Sequence, residues 1–370
     1  MANMRLDDFI AHSVDIALKS QHQNGSFPAG HNGPYHDPDT PVRNTAHWVF
    51  ALLKCYEWTK DLKYRDGAES GLHYLLSSEA RPMAASFWCR KNPHKDMCNG
   101  LIGQAWVIET LALASDILNC KEYRTVAEQV FDLHPFDKKR VGWQRVNVDG
   151  SYKGVDRTFN HQLWFAAAGS ALATRGHKKA HEEVSYFLKN LPRHMVLYPS
   201  GLIMHTAPFF LASSILDHGL GILKTFEEIS RARYTYRKSI GYHAFNTYAL
   251  AILNNNMPDH RVWDSQAVQR ALSYLKSRHY RKQIEAAPYG IEYNPPGFEA
   301  AYTLSVFDPG CQGEIGDWLA WQCKHNYNSQ TELMDQKVAD PKTSAARIYE
   351  ATRLSPETVI SAEVLFCSEK

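Results

Sequence analysis

Gly100–Leu118, GLIGQAWVIETLALASDIL, decides the fold. It is long enough for five turns of helix, and its apolar residues fall on every side instead of along one stripe. A helix of that kind is enclosed on all sides by other structure. The longest clean apolar run elsewhere, near Phe209 to Leu216, is too short for a bilayer span of ~20 residues. The enclosing structure is therefore protein, and the neighbouring segments supply it. Residues 43–60 read as a second helix of the same kind, with Val49, Leu52, Leu53 and Tyr56 apolar. Residues 160–174 and 236–254 read as two more.

Between these lie more amphipathic helices, at 5–20, 66–78, 121–133, 178–190, 211–230, 264–279, 311–326 and 343–353. VGWQRVNVDGSYKGV, residues 141–155, alternates about an Asp149-Gly150 pair and predicts a β-hairpin. HMVLYPSGLIMHTAPF, 194–209, and PYGIEYNPPG, 288–297, read as extended, the second because of its paired prolines. Roughly a dozen helices in consecutive pairs, with no Gly- or Ser-rich linker and no strict repeat, predict one domain over 1–370. Its fold class is all-α: an (α/α) toroid, or barrel, of about six helix pairs with short hairpins in its loops. The 43–60, 99–118, 160–174 and 236–254 helices are expected on the inside.

Composition narrows the function. Lys and Arg number 41 and Asp and Glu 39, with no long basic run, which argues against a nucleic-acid partner. Seven cysteines, an odd number without a CxxC pair, suit a reducing compartment, so a cytoplasmic location is expected. The N-terminus has no apolar signal core, and no membrane partner is expected. The loop histidines and aspartates His31, His36, Asp37, Asp39 and His47 fit no metal signature, and P-loop and GxGxxG fingerprints are absent. No metal or cofactor is therefore expected.

The chemistry-bearing residues gather at the starts of the expected inner helices. Arg43, Asn44, His47 and Trp48 open one, and Gln104 and Trp106 follow Asn99 in the next. Asn160-His161 with Trp164 opens a third, and Arg237, Tyr242 and His243 a fourth. In a ring of helix pairs these ends face one mouth, where free N–H groups and helix dipoles favour an anion. Asn with Arg suits a carboxylate. His, with an ordinary pKa of ~6.5, suits removal of the proton on the adjoining carbon, and Tyr suits its return.

Asn160-His161 resembles the Asn-His pair of (α/α)-barrel polysaccharide lyases. Arg237 with Tyr242-His243 is similar to the Arg and Tyr-His helix of the alginate-lyase type. The resemblance implies a lyase that cleaves an acidic oligo- or polysaccharide by β-elimination. Asn160 and Arg237 would neutralise the uronate carboxylate, His161 would be the base and Tyr242 the acid. Arg43, Asn44, His47, Trp48, Gln104, Trp106, Trp164, His205, His243, Tyr293 and Glu299 are the expected substrate contacts. The same groups would serve a uronate C5-epimerase. A toroid glycoside hydrolase would instead use paired carboxylates drawn from Asp37, Asp156 and Glu299. Gln23-Asn24-Gly25-Ser26-Phe27 resembles a turn of terpene-cyclase toroids, so a terpene-cyclase-like or non-catalytic glycan-binding toroid stands as a further alternative.

Overall fold

The computed structural model describes residues 4–205 and 226–360. Among them are fourteen α-helices: α1 Leu6–Leu18, α2 Val42–Thr59, α3 Leu62–Leu76, α4 Gly100–Ile117, α5 Lys121–Asp132, α6 Phe159–Ala173, α7 Lys178–His194, α8 Phe226–Gly241, α9 His243–Asn256, α10 Gln266–Leu275, α11 Arg278–Glu285, α12 Gly297–Phe307, α13 Gln312–Asn326 and α14 Pro341–Ala346. A 3₁₀ stretch, Arg347–Arg353, continues α14.

Six of these segments form a closed inner ring. Helix α2 packs on α4, α4 on α6, α6 on α9, α9 on α12, α12 on the 3₁₀ stretch, and that stretch on α2. Outer helices α3, α5, α7, α10 and α13 cover α2, α4, α6, α9 and α12 in turn. The sixth outer position belongs to α1, which packs on both α2 and the 3₁₀ stretch. The first helix of the chain thus backs the last, and strand β1 (Met4–Arg5) pairs antiparallel with strand β5 (Val359–Ile360) to tie the ends. This is the expected (α/α) toroid.

Burial follows the layers. In α4 every residue from Gly100 to Ala112 is buried, whereas α5 buries only Ala127, Val130 and Phe131. Helix α7 buries Ala180, Val184, Phe187, Leu188 and Leu191, the stripe of a helix with one protein-facing side. The hairpin forms as read: β3 (Gly142–Val146) pairs with β4 (Tyr152–Val155), β2 (Phe136–Asp137) adds to β3, and Gly150 takes the left-handed conformation of the turn at φ +82°.

Three expectations change. The 236–254 helix is two helices, because Gly241 lies against the Tyr289 backbone and the chain bends at Tyr242. A Cβ on Gly241 would sit 2.3 Å from the Tyr289 oxygen. Residues 288–293, expected to be extended, are turns, and the unexpected helix α12 follows Pro295-Pro296; prolines are well tolerated at a helix start, where N–H groups lack partners anyway. Finally, most of the expected 211–230 helix lies outside the described residues.

The sixth inner segment is part α-helix and part 3₁₀, and buried charge holds it. Arg347 pairs with Glu299 of α12 and, at 2.7 Å, with Glu350. Arg353 pairs with Glu109 of α4 and donates to the Tyr248 hydroxyl of α9 at 2.8 Å. Glu109, a lone acid in the most apolar helix, has its partner here. Removing one member of a buried pair costs about 3–5 kcal/mol. Arg353→Ala is expected to destabilise the protein by that amount in urea unfolding, and pairing Arg353→Met with Glu109→Gln to recover most of it.

Candidate active site

The N-terminal ends of α2, α4, α6 and α9 open into one cavity of about 310 Å³. Outer helices α10 and α11 begin with side-chain caps from Ser265 and Ser277, as α3 does from Asp61. Inner helices α2, α4, α6, α9 and α12 have no side-chain cap from their own N-cap residue. Asn44 and Asn99 are therefore not caps. The Asn44 side chain donates instead to the Pro28 carbonyl at 2.9 Å, and Asn99 is left-handed at φ +55°.

One carboxylate organises the mouth. Asp156, placed by the hairpin just ahead of α6, accepts from Leu101 N–H of α4 at 3.2 Å and from Thr158 N–H at 3.0 Å. Its Oδ2 also lies 2.8 Å from Nδ1 of His161. Burial pushes the Asp156 carboxyl up, but the His161 charge and hydrogen bond, with the two amides, outweigh it and hold the pKa at about 2. An ionised Asp156 accepts a proton-bearing Nδ1, so His161 keeps Nε2 as the nitrogen free to act. Gly100, at φ +57°, makes room: a Cβ there would lie 2.5 Å from both Asp156 Oδ2 and His161 Nδ1.

Around this dyad the cavity is lined by Asn160 and Thr158, and by His205, Tyr242, Tyr293 and Trp106. Arg43 is there too, its guanidinium 4.4 Å above the Trp106 ring. Tyr242 is buried among tyrosines 35, 289 and 293, and that burial, reinforced by its neighbours, raises its pKa well above the ordinary value. It therefore stays a neutral phenol. Burial, with Lys238 and His161 nearby, drives the His205 pKa well down, so its imidazole is neutral.

The structure thus brings together Arg43, Trp106, Asn160, His161, His205, Tyr242 and Tyr293 from the expected set. It does not bring the others. Arg237 is exposed on α8, and the next residue, Lys238, lines the cavity in its place. His243 is fully buried beside α10, accepting from Ile203 N–H at 3.2 Å and bonding the Ala271 carbonyl at 3.1 Å. Gln104 braces a mouth loop through Phe87 N–H, at 2.7 Å, and the Phe87 and Cys98 carbonyls. Gln162 does the same for Trp143 and Asp156. Trp48 packs on Phe27, and Trp164 stacks on Phe245 and Tyr248 in the core. His47 lies buried between Trp106 and Tyr349, and Glu299 is held by Arg347. Residues at the cavity that were not singled out are Tyr35, Arg90, Lys95, Lys238 and Asn294. Lys238 adjoins Arg237 within the expected 236–254 helix.

Among the described residues no group of three or more His, Cys, Asp and Glu is placed to hold a metal, and no helix is long and apolar enough to cross a membrane. His31 and His36 stack on each other at 5.3 Å, while Asp37 pairs with Lys95.

No family profile matches the chain. Archaeal glycosylation protein Q of Haloferax volcanii is 43% identical over 363 residues, covering 94% of this chain and 97% of that protein. Three solved structures share the fold at low identity. Cellobiose 2-epimerase of Bacillus thermoamylovorans superposes with a TM-score of 0.63 at 9% identity, over 94% of this chain and 98% of that one. A D-mannose isomerase gives 0.62 at 14%, over 94% and 95%. An inactive variant of the α-1,6-mannanase of Salegentibacter sp. HEL1_6, in complex with α-1,6-mannotriose, gives 0.57 at 13%, over 94% and 98%. These likenesses support the toroid part of the sequence resemblance and not its alginate-lyase part.

Asp156 sets an acid limit. Its folded carboxyl is depressed, so its contribution to stability is present above the unfolded value of 3.8 and is lost as pH falls through about 2. Asp156→Asn is expected to flatten that acid limb. In ¹⁵N NMR the variant is expected to release His161 from a single Nδ1–H tautomer into a mixture; an unchanged tautomer would refute the dyad.

Proposed function

This chain belongs to the family of archaeal glycosylation protein Q, and we propose that it is a carbohydrate-active enzyme that binds a uronate sugar and moves the proton on the carbon next to its carboxylate. The observation that carries this is the juxtaposition, in one cavity, of an Asp156-held His161 with cations on the opposing elements. A proton next to a carboxylate is weakly acidic because its removal puts a second negative charge on that group. Cations at the carboxylate lower that barrier, and a positioned imidazole takes the proton. Lys238 takes the role that the sequence suggested for Arg237. His161 Nε2 is the base, and Tyr242, which holds its proton tightly, is the donor. Asn160 supplies an amide at the reacting centre.

Two products are open to this machinery. Returning the proton to the opposite face of the carbon inverts it; protonating the departing oxygen eliminates it. The small cavity favours inversion, since ~300 Å³ is at the lower limit of ligand pockets and suits one or two sugar units instead of a long polymer. The name of the relative points the same way, because glycosylation builds glycans and inversion leaves the sugar in place. β-Elimination, the outcome suggested by the lyase resemblance, remains the second product of the same residues. Hydrolysis is favoured by a different observation. Burial pushes the Asp39 carboxyl up to about 6 close to Asp37 at the cavity wall, which suits a general acid.

A panel of uronate mono- and oligosaccharides in D₂O separates these outcomes. Inversion is expected to place deuterium at the carbon next to the carboxylate without an ultraviolet-absorbing product. Elimination gives the absorbing unsaturated end, and hydrolysis gives new reducing ends with neither. His161→Ala is expected to lower turnover by ~10²–10⁴-fold while the fold is kept. Full activity in that variant would sink the assignment.

Burial lowers the Lys238 pKa to about 8, so its charge is lost as pH rises through that value. The KM for a uronate is therefore expected to rise above that pH, and Lys238→Arg to carry the low-KM plateau further into alkali.

A further inference from the structure

Four cations line the cavity: Arg43, Arg90, Lys95 and Lys238. Lys95 is matched by Asp37 at its wall. The other three form no ion pair and donate no side-chain hydrogen bond among the described residues. Arg43 is only 6% exposed, and its Nε is buried without a partner. The Nε of Arg90 is likewise unpartnered. Lys238 stands among rings, with its ammonium 5.4 Å from the centre of Tyr35 and 5.6 Å from Tyr242 and Tyr289.

Nearby carboxylates do not fill these donors. Asp39 lies close enough to act on both Arg43 and Arg90 but bonds neither. Asp340 and Glu350 act on Arg43 at a distance, while Asp340 accepts from His31 and Thr343 N–H and Glu350 accepts from Arg347. Guanidinium and ammonium groups are costly to bury with their donors unused. Three such groups on α2, α8 and the loop before α4 need more negative charge than one carboxylate supplies. They also stand in two places, since Arg43 and Arg90 both flank Asp39 whereas Lys238 stands among Tyr35, Tyr242 and Tyr289.

We infer that the cavity takes a ligand carrying two separate anionic groups, one seated on Lys238 and the other on Arg43 and Arg90. This rests on the cavity being the substrate site, as proposed above, and it narrows the substrate class. A second anion next to a uronate carboxylate is either the carboxylate of an adjoining uronate or a phosphate on the same sugar. A lone uronate on Lys238 leaves Arg43 and Arg90 unused.

Isothermal titration of the full chain with galactose, galacturonate, digalacturonate and glucuronate 1-phosphate tests this. At least one dianion is expected to bind about tenfold or more tightly than galacturonate, the gain of one close charge pair. Preference for digalacturonate identifies a second uronate, and preference for the 1-phosphate identifies a phosphate. Arg43→Gln is expected to bring the affinity for the preferred dianion down to that for galacturonate. If that variant does not fold, salt dependence of the wild type serves: affinity for the preferred dianion is expected to fall more steeply with KCl than that for galacturonate. Equal affinities, or equal salt slopes, for galacturonate and both dianions overturn the two-anion inference and leave the uronate reading standing. Tighter binding of galactose than of any uronate removes both.

Discussion

Arg347 and Arg353 hold the ring shut from the inside. The first five inner positions are occupied by helices of 11 to 18 residues, and hydrophobic contact suffices to align them. The sixth is six residues of α14 continued by a 3₁₀ stretch of seven, and it carries Arg347, Glu350 and Arg353 where the other inner helices are mostly apolar. Its arginines reach across the lumen instead, to Glu299 on α12, to Glu109 on α4 and to Tyr248 on α9. Buried ion pairs contribute little net stability, because desolvation consumes most of the Coulombic gain. What they do fix is position: each guanidinium fork accepts its carboxylate in one geometry. That placement aligns α2 with α12, and hence sets the shape of the mouth between them.

Below the mouth, charge is neutralised internally; at the mouth it is not. Glu109 is paired with Arg353, and Glu299 and Glu350 share Arg347. Arg43 at the start of α2, Arg90 in the loop before α4 and Lys238 at the end of α8 are not matched by contact. The inner helices also begin without caps of their own, so N–H dipoles add to the same positive field. Asp156 is the counterweight. It satisfies an α4 amide and orients a histidine of α6, which makes the dyad and the seam between the two helices one unit. The consecutive left-handed residues Asn99 and Gly100 bring α4 close enough for this to happen.

The architecture was readable because inner and outer helices differ in how they distribute apolar residues. Helices α4 and α6 are apolar all round, α5 and α7 only along a stripe, and Asp149-Gly150 announced its hairpin. Helix α12 was hidden by the two prolines that start it. The site was half readable for a geometric reason. A helix rises 1.5 Å per residue, so its first turn reaches the cavity most readily, and Trp106 of α4 reaches it from the second. Arg43, Asn160 and His161 are in the first turn. His47, Trp48 and Trp164 lie one turn deeper, where the ring closes, and become core. Gln104 is early enough but points outward to hold a loop. The bend at Tyr242 was beyond reach, since it comes from Gly241 meeting Tyr289, far along the chain. Without the bend, Arg237 and Lys238 could not be told apart.

An epimerase, an isomerase and a mannanase share this scaffold, so the scaffold does not select the reaction. Selection falls to the few side chains that reach the cavity, and here two features act together. A base fixed by Asp156 needs no reorganisation to receive a proton, but it gives no advantage unless the carbon it faces is acidified. Unmatched cations acidify only a carbon that bears a carboxylate, and they do nothing for a neutral sugar. Each feature alone is compatible with several chemistries. Their coincidence restricts the proposed reaction to sugars that bring their own negative charge, because only those sugars fill the donors that the fold has left open.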